Sequence, residues 1–326
     1  MRQDVLYAPT GGGLNVPIVD VTNPAFRIDP SEQELATLTS QFLGEAQARE
    51  NVPPQLVAAL QRSVLGRGLM AARGTFLSGM HTYLMKLGPD SLWDGAEEID
   101  RRIAASFPAY TNRLRVQDMA RLLADGVLAA SPVAGRALCF VNIAGGPAAD
   151  SWNALLVVRA ERPDLLAGRR IVVAVLDPDS EGPAFGAAAV ARLREAGAPL
   201  AGLELAFRHR PLRWSDTAAL RAELETVGAR DAFCAASSEG GLFEYGSDEE
   251  ILDALAALAA GTAPDAVIAG SVTREGEATR ASHRGAEVAV RPRTLDAFRA
   301  LVAKAGWAIE RTIERPLSYH VRMAKR

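Results

Sequence analysis

Hydrophobic spacing divides the chain in two. Up to about residue 130, apolar positions recur every three to four residues, as on one face of a helix. From about residue 137, short unbroken apolar runs alternate with amphipathic stretches, the pattern of parallel strands covered on both faces and joined by helices. The runs predict strands over Ala137–Ile143, Arg170–Leu176, Leu203–Phe207, Asp231–Ala236 and Asp265–Gly270. A helix from about Thr294 to Ala305 follows, then Gly306 and two extended pieces, residues 306–313 and 318–323, that read as an antiparallel pair.

In the first part, residues 1 to about 30 read as an extended arm turning at Gly11-Gly12-Gly13, and Asp29 or Ser31 caps a helix carrying Leu35, Leu38, Phe42 and Leu43. Further helices are predicted from Pro53-Pro54 toward Met70, over 76–87, over Asp94–Phe107 and over Val116–Ala130, with 131–135 as the boundary. Two units are therefore expected: 1–130, an arm and helical region, and 136–326, a ligand-binding sheet.

Turn chemistry at the strand ends supplies the candidate site. The first strand runs without a polar linker into Gly145 and Gly146, which permit a sharp turn beside a ligand, and Asp150 or Ser151 is expected to cap a helix opening at Trp152. An acid at that cap opposes a pyrophosphate, and the Gly-x-Gly-x-x-Gly spacing is absent, so a ligand with cationic groups is expected there. The second strand ends in Asp177-Pro178-Asp179, where an acid can accept both hydroxyls of a ribose. The fourth opens into Ser237-Ser238-Glu239-Gly240-Gly241, ahead of Phe243 and Tyr245 and a capped helix at Ser247.

This order of elements, with the turn Asn142-Ile143-Ala144-Gly145-Gly146, the acid Asp177 and the closing antiparallel pair, resembles the class I S-adenosylmethionine-dependent methyltransferases over residues 137–326. The resemblance implies a doubly wound, mostly parallel seven-stranded α/β sheet with an antiparallel last strand. It implies S-adenosylmethionine as cofactor, methyl transfer to a small molecule, to oxygen or nitrogen rather than carbon, and a role for residues 1–130 as lid, substrate contact or dimer surface. Cofactor contacts are then expected from Asn142, Ala144, Gly145, Gly146, Asp150, Asp177, Pro178, Trp214, Ser237, Ser238 and Glu239. Glu239, His81, Tyr245 and His283 are candidates for proton transfer or orientation, and Met80, His81, Tyr83 and Phe243 for substrate contact. The chain departs from the family at Asn142, where an acid is usual, and at Pro147 or Ala148, where a further glycine is usual; residues 161–168 look inserted.

Composition narrows the partners. A net charge of -3 offers no basic face for nucleic acid, and no apolar run approaches a membrane span or a secretory signal. Two cysteines, Cys139 and Cys234, fall in neighbouring predicted strands and are expected as buried thiols in a cytoplasmic protein; with four scattered histidines they give no metal-binding pattern. A homodimer through the N-terminal helices is the expected assembly. The other function classes left open are a non-catalytic relative of the same fold and an NAD-dependent oxidoreductase.

Overall fold

The protein is described by a computed structural model covering residues 5–48, 54–130, 135–283 and 289–326. An antiparallel hairpin, β1 (Tyr7–Pro9) and β2 (Asn15–Pro17), precedes the helices, and the sheet follows. Its strands are β3 (Leu138–Ile143), β4 (Arg170–Leu176), β5 (Glu204–Arg210), β6 (Phe233–Ser238), β7 (Val267–Thr273), β8 (Trp307–Glu314) and β9 (Ser318–Lys325). Their order is β5-β4-β3-β6-β7-β9-β8, parallel except that β9 runs antiparallel to both β7 and β8. The expected doubly wound sheet and its closing antiparallel pair are both present.

Every residue of β3, β6 and β7 is buried, which is why those segments show no polar alternation. Leu138, Phe140, Val173 and Val175 face one core with the helices Phe107–Ala129, Ala149–Glu161 and Glu181–Leu193. Cys139, Val141, Val172 and Ala174 face the other, with Thr217–Thr226, Asp248–Gly261 and Leu295–Lys304. Cys139 pairs in register with Cys234, and both are buried free thiols.

The helical region is built into the sheet's covering layer. Its long helix Phe107–Ala129 lies so close to β7 that a Cβ at Gly126 would fall 2.7 Å from Val267 Cγ2. The arm is stitched down by polar bonds: Trp152 Nε1 and Asn153 Nδ2 donate to Val19 O, and Tyr83 donates to Pro17 O while accepting from Val19 N. Among the described residues no helix is long and apolar enough to cross a membrane.

Several boundaries differ from expectation. The predicted pair Asp94–Phe107 and Val116–Ala130 becomes Glu98–Ala104 and one 23-residue helix, because Arg115 and Asp118 point inward and blur its apolar stripe. Ser63 interrupts the second helix and caps a new one, Val64–Ala71, by accepting from Gly66 N. The third shrinks to Gly79–Met85, capped by Ser78. The helix after β3 begins at Ala149, since Ala148 turns left-handed (φ 60°), so Asp150 sits in its first turn instead of capping it. Residues 277–283, expected as loop, are helical. Pro53, the boundary at 131–134 and Arg284 lie outside the described residues.

A buried polar pin joins the last hairpin to the long helix. Arg315 donates to both oxygens of Asp118 at 2.7 and 2.9 Å, His320 Nδ1 lies 2.8 Å from Asp118 Oδ2, and Ser318 Oγ lies 2.8 Å from His320 Nε2. Burial pushes the Asp118 carboxyl up, but the bonds from Arg315 and His320 outweigh it and hold the group below its ordinary value. Its contribution to stability is therefore complete above about pH 4 and is lost as pH falls through the depressed value. Asp118→Ala, which leaves Arg315 and His320 without their partner, is expected to cost about 3 kcal/mol in urea denaturation at pH 7. A loss under about 1 kcal/mol would show that the pin does not hold the hairpin.

Candidate active site

The chain reverses direction across the sheet between β3 and β6, the place where open α/β sheets bind ligands beyond the carboxyl ends of their strands. A cavity of about 380 Å³ lies there. The strand ends supply Ala144 and Gly145 after β3, Asp177, Pro178 and Asp179 after β4, Trp214 after β5, and Glu239, Gly240, Gly241 and Tyr245 after β6. The helical region supplies the opposite wall through Gly68, Phe76, Ser78, Gly79, His81 and Lys86.

The turn after β3 is unusual in carrying left-handed backbone at two alanines, Ala144 (φ 55°) and Ala148 (φ 60°), besides Gly146 (φ 57°). Such a conformation costs a residue with a Cβ about 1–2 kcal/mol. The turn is held by Asp177, whose Oδ2 accepts from Gly146 N at 2.9 Å and whose Oδ1 accepts from Asp179 N at 2.9 Å. Burial raises the Asp177 carboxyl above its ordinary value against these two donors. Each carboxylate oxygen can accept more than one bond, so Asp177 retains acceptor capacity on the cavity wall.

Glu239 is almost wholly buried (4 % exposed) and is paired with two cations. Lys86 Nζ lies 2.7 Å and Arg115 Nε 3.3 Å from the same oxygen, Oε1. Arg115 also reaches Glu244 at 3.6 Å, and Thr273 donates to Glu244 at 3.2 Å. Glu239 thus anchors Lys86 and Arg115 at the cavity wall. Four acids, Asp177, Asp179, Glu181 and Glu239, line a cavity whose walls include one lysine, so the site suits a ligand carrying positive charge.

Behind this wall, Asn142 Nδ2 donates to Asp150 Oδ1 at 2.7 Å and to Ser237 Oγ at 3.1 Å, with all three residues buried. Asn142 Oδ1 and Asp150 Oδ2 are both buried acceptors without a donor. Burial, with Glu239 nearby, pushes the Asp150 carboxyl up to about 6. Below about pH 6 a protonated Asp150 carries a hydroxyl that can donate where both oxygens lack a donor.

The structure brings Ala144, Gly145, Asp177, Pro178, Trp214, Glu239, His81 and Tyr245 to one cavity. Asn142, Gly146, Asp150, Ser237 and Ser238 sit one layer behind it; Ser238 Oγ is engaged with Ile143 O and Leu242 N. Four residues expected near substrate lie elsewhere. Met80 is in the core, Tyr83 is tied to the arm, Phe243 packs edge-on against Phe298, and His283 ends a helix away from the cavity walls. Tyr245 is oriented by the backbone at Leu77, and burial raises its hydroxyl well above the ordinary phenol value, so it stays protonated and can orient but not deprotonate. Lys86, Arg115, Ser78 and Phe76 were not legible as site residues. Lys86 and Arg115 end or interrupt apolar helical patterns, and an inward-facing cation in such a stripe is the only local signal they give.

The strand order and antiparallel close are those that the resemblance in sequence implies for this sheet. No family model and no curated protein matches the chain. Among solved structures it is similar to a "possible exported protein" from Bordetella parapertussis, at 20% identity and a TM-score of 0.58, over 92% of this chain and 99% of that one. It is also similar to the pyocyanin biosynthetic protein PhzM, at 15% identity and a TM-score of 0.43, over 91% of this chain and 74% of that one. A third is 1,6-didemethyltoxoflavin-N1-methyltransferase from Burkholderia thailandensis, at 16% identity and a TM-score of 0.40, over 67% and 80%. The first likeness spans nearly the whole of both chains, so helical region and sheet recur together as one architecture.

Because the folded Asp150 binds its proton more tightly than an unfolded aspartate, the wild type loses stability as pH rises from about 4 to about 6. Asp150→Asn, which offers a permanent amide donor to Asn142 Oδ1, is expected to be more stable than wild type at pH 7.5 by about 1–3 kcal/mol, with the difference shrinking toward pH 4. Urea denaturation at both pH values measures this, and a difference independent of pH would refute a proton held on Asp150.

Proposed function

We propose that the chain is an S-adenosylmethionine-dependent methyltransferase acting on oxygen or nitrogen of a small molecule. The observation that carries this reading is the acid-lined cavity at the sheet's reversal point, with Asp177 at its edge, in a sheet of this topology. The residues present fit the cofactor. Asp177 has acceptor capacity for a ribose diol, Pro178 and Trp214 offer apolar surface to an adenine, and the surplus of acids suits a sulfonium. When bound, the cofactor supplies a methyl group on a good leaving group, so the protein's main task is to hold a nucleophile in line with it.

The wall formed by Phe76, Ser78, His81 and Tyr245 faces that position and is the proposed acceptor side. Phe76 contacts both Trp214 and Tyr245, with ring centroids 6.4 and 5.9 Å apart, and adds apolar surface to that wall. The buried, unbridged Cys139 and Cys234 support a reducing, cytoplasmic setting, and the largely exposed helix Glu32–Ala48 supplies a surface for the homodimer.

A dinucleotide cofactor is disfavoured physically. The N-terminus of the helix Ala149–Glu161, where a pyrophosphate would rest, carries Asp150 in its first turn, and the neighbouring turn is covered by Gly79, whose added Cβ would fall 2.5 Å from Gly146 Cα.

Isothermal titration with S-adenosylhomocysteine is expected to show one site per chain. Asp177→Ala is expected to weaken that binding by about 1.5–3 kcal/mol, the worth of bonds to a charged acceptor. Binding of NADH with none of S-adenosylhomocysteine would overturn the assignment, and binding without turnover on a panel of phenols and amines would mark a non-catalytic relative.

A further inference from the structure

Ser78 and His81 are linked in a way that helix capping does not require. Ser78 Oγ accepts from the backbone N–H of His81 at 3.3 Å, which completes the cap of the helix Gly79–Met85. The imidazole then folds back so that its Nδ1 lies 2.8 Å from the same Oγ. The backbone at Val64 lies near the ring and favours its protonated form. Ser78 Oγ already accepts the His81 N–H, and with its own hydroxyl proton directed to Nδ1 the ring is the neutral Nε2–H tautomer.

The ring is held in this pose by a seat only glycine allows. A Cβ at Gly68 would fall 2.0 Å from His81 Cδ2 and 2.7 Å from Nε2. With its proton directed to Nδ1 and one lone pair taken by the cap, Ser78 Oγ keeps a second lone pair, and Ser78 and His81 both line the cavity. The charged groups facing the imidazole are Glu181 and Asp179, which favour an imidazolium, and Arg67, which opposes it. Burial, the largest influence, keeps the ring's pKa below its ordinary value and hence the ring neutral at pH 7.

We propose that Ser78 and His81 form a proton relay that fits the site to an acceptor bearing a hydroxyl, an inference that rests on the methyltransferase reading above. As the acceptor oxygen forms its bond to the methyl carbon, the carbon–sulfur bond breaks and its electron pair returns to sulfur. The acceptor's proton passes to Ser78 Oγ while the Ser78 proton passes to His81 Nδ1. The positive charge that begins on the sulfonium ends on the imidazolium, beside Glu181 and Asp179. Ser78 is the catalytic residue that touches the acceptor, and His81 is the positioning residue acting through it.

The test uses the full chain with S-adenosylhomocysteine, with phenol as the acceptor probe. In imidazole ¹H–¹⁵N spectra, with the His81 signals assigned by their loss in His81→Gln, an unprotonated Nδ1 is expected at pH 7, titrating below pH 6.5. Phenol is expected to shift that Nδ1 resonance in wild type and not in Ser78→Ala. With S-adenosylmethionine and phenol-type acceptors, Ser78→Ala and Gly68→Ala are each expected to lower kcat by about 10²-fold or more, while S-adenosylhomocysteine affinity stays within about 2-fold. His81→Gln is expected to erase the fall in kcat below pH 6.5. A proton on Nδ1, no response to saturating phenol in wild type, or a Ser78→Ala variant keeping its kcat and pH profile would each overturn the relay. Failure of the wild type to bind S-adenosylhomocysteine would overturn the methyltransferase reading instead.

Discussion

The site depends on a backbone-to-backbone contact at Gly146. An added Cβ at Gly79 would fall 2.5 Å from Gly146 Cα, and one at Gly182 would fall 2.9 Å from the same atom. The turn after β3 is thus sandwiched between the helix Gly79–Met85 and the helix Glu181–Leu193, with no room for a side chain on either side. Gly186 continues the contact, since its Cβ would fall 2.3 Å from Pro147 O. This close approach sets Ser78, His81 and Lys86 over the lip of the sheet. It also fills the place where a phosphate-binding helix would present its free amides.

Charge is arranged around that contact. Glu239 takes both Lys86 and Arg115, and Arg115 shares itself with Glu244, so cations from two helices of the first part meet acids from the loop after β6. A buried ion pair is weak evidence of stability, because desolvation offsets most of the attraction, but it is strict about geometry. Asp150, wholly buried and without a paired cation, is instead held above the ordinary carboxylate range, and binding a proton is the cheaper solution in that environment. Asn142 thereby has an acid within hydrogen-bond reach, from a residue eight positions further on.

Much of the architecture was legible locally. Strands covered on both faces appear as unbroken apolar runs, and Asp177 announced itself by ending one of them abruptly. The class of fold followed from the order of such runs and from the closing hairpin. Helix boundaries in the first part were less legible, because Arg115 and Asp118 occupy inward positions and break the apolar period. Expectations for Met80, Tyr83 and Phe243 rested on residue type alone, and type does not say which face of a short element turns to the core.

The sequence by itself determined the sheet, its covering helices, and the acid and glycines at its carboxyl edge, since periodicity and turn chemistry act over a few residues. Only the tertiary structure decided that Lys86 and Arg115 meet Glu239, that Asp150 turns to Asn142, and that His81 lies on Gly68 against Ser78. Those pairings are fixed by how closely two backbones approach. That distance depends on which positions lack a Cβ on both partners at once, and so it cannot be read from either segment alone.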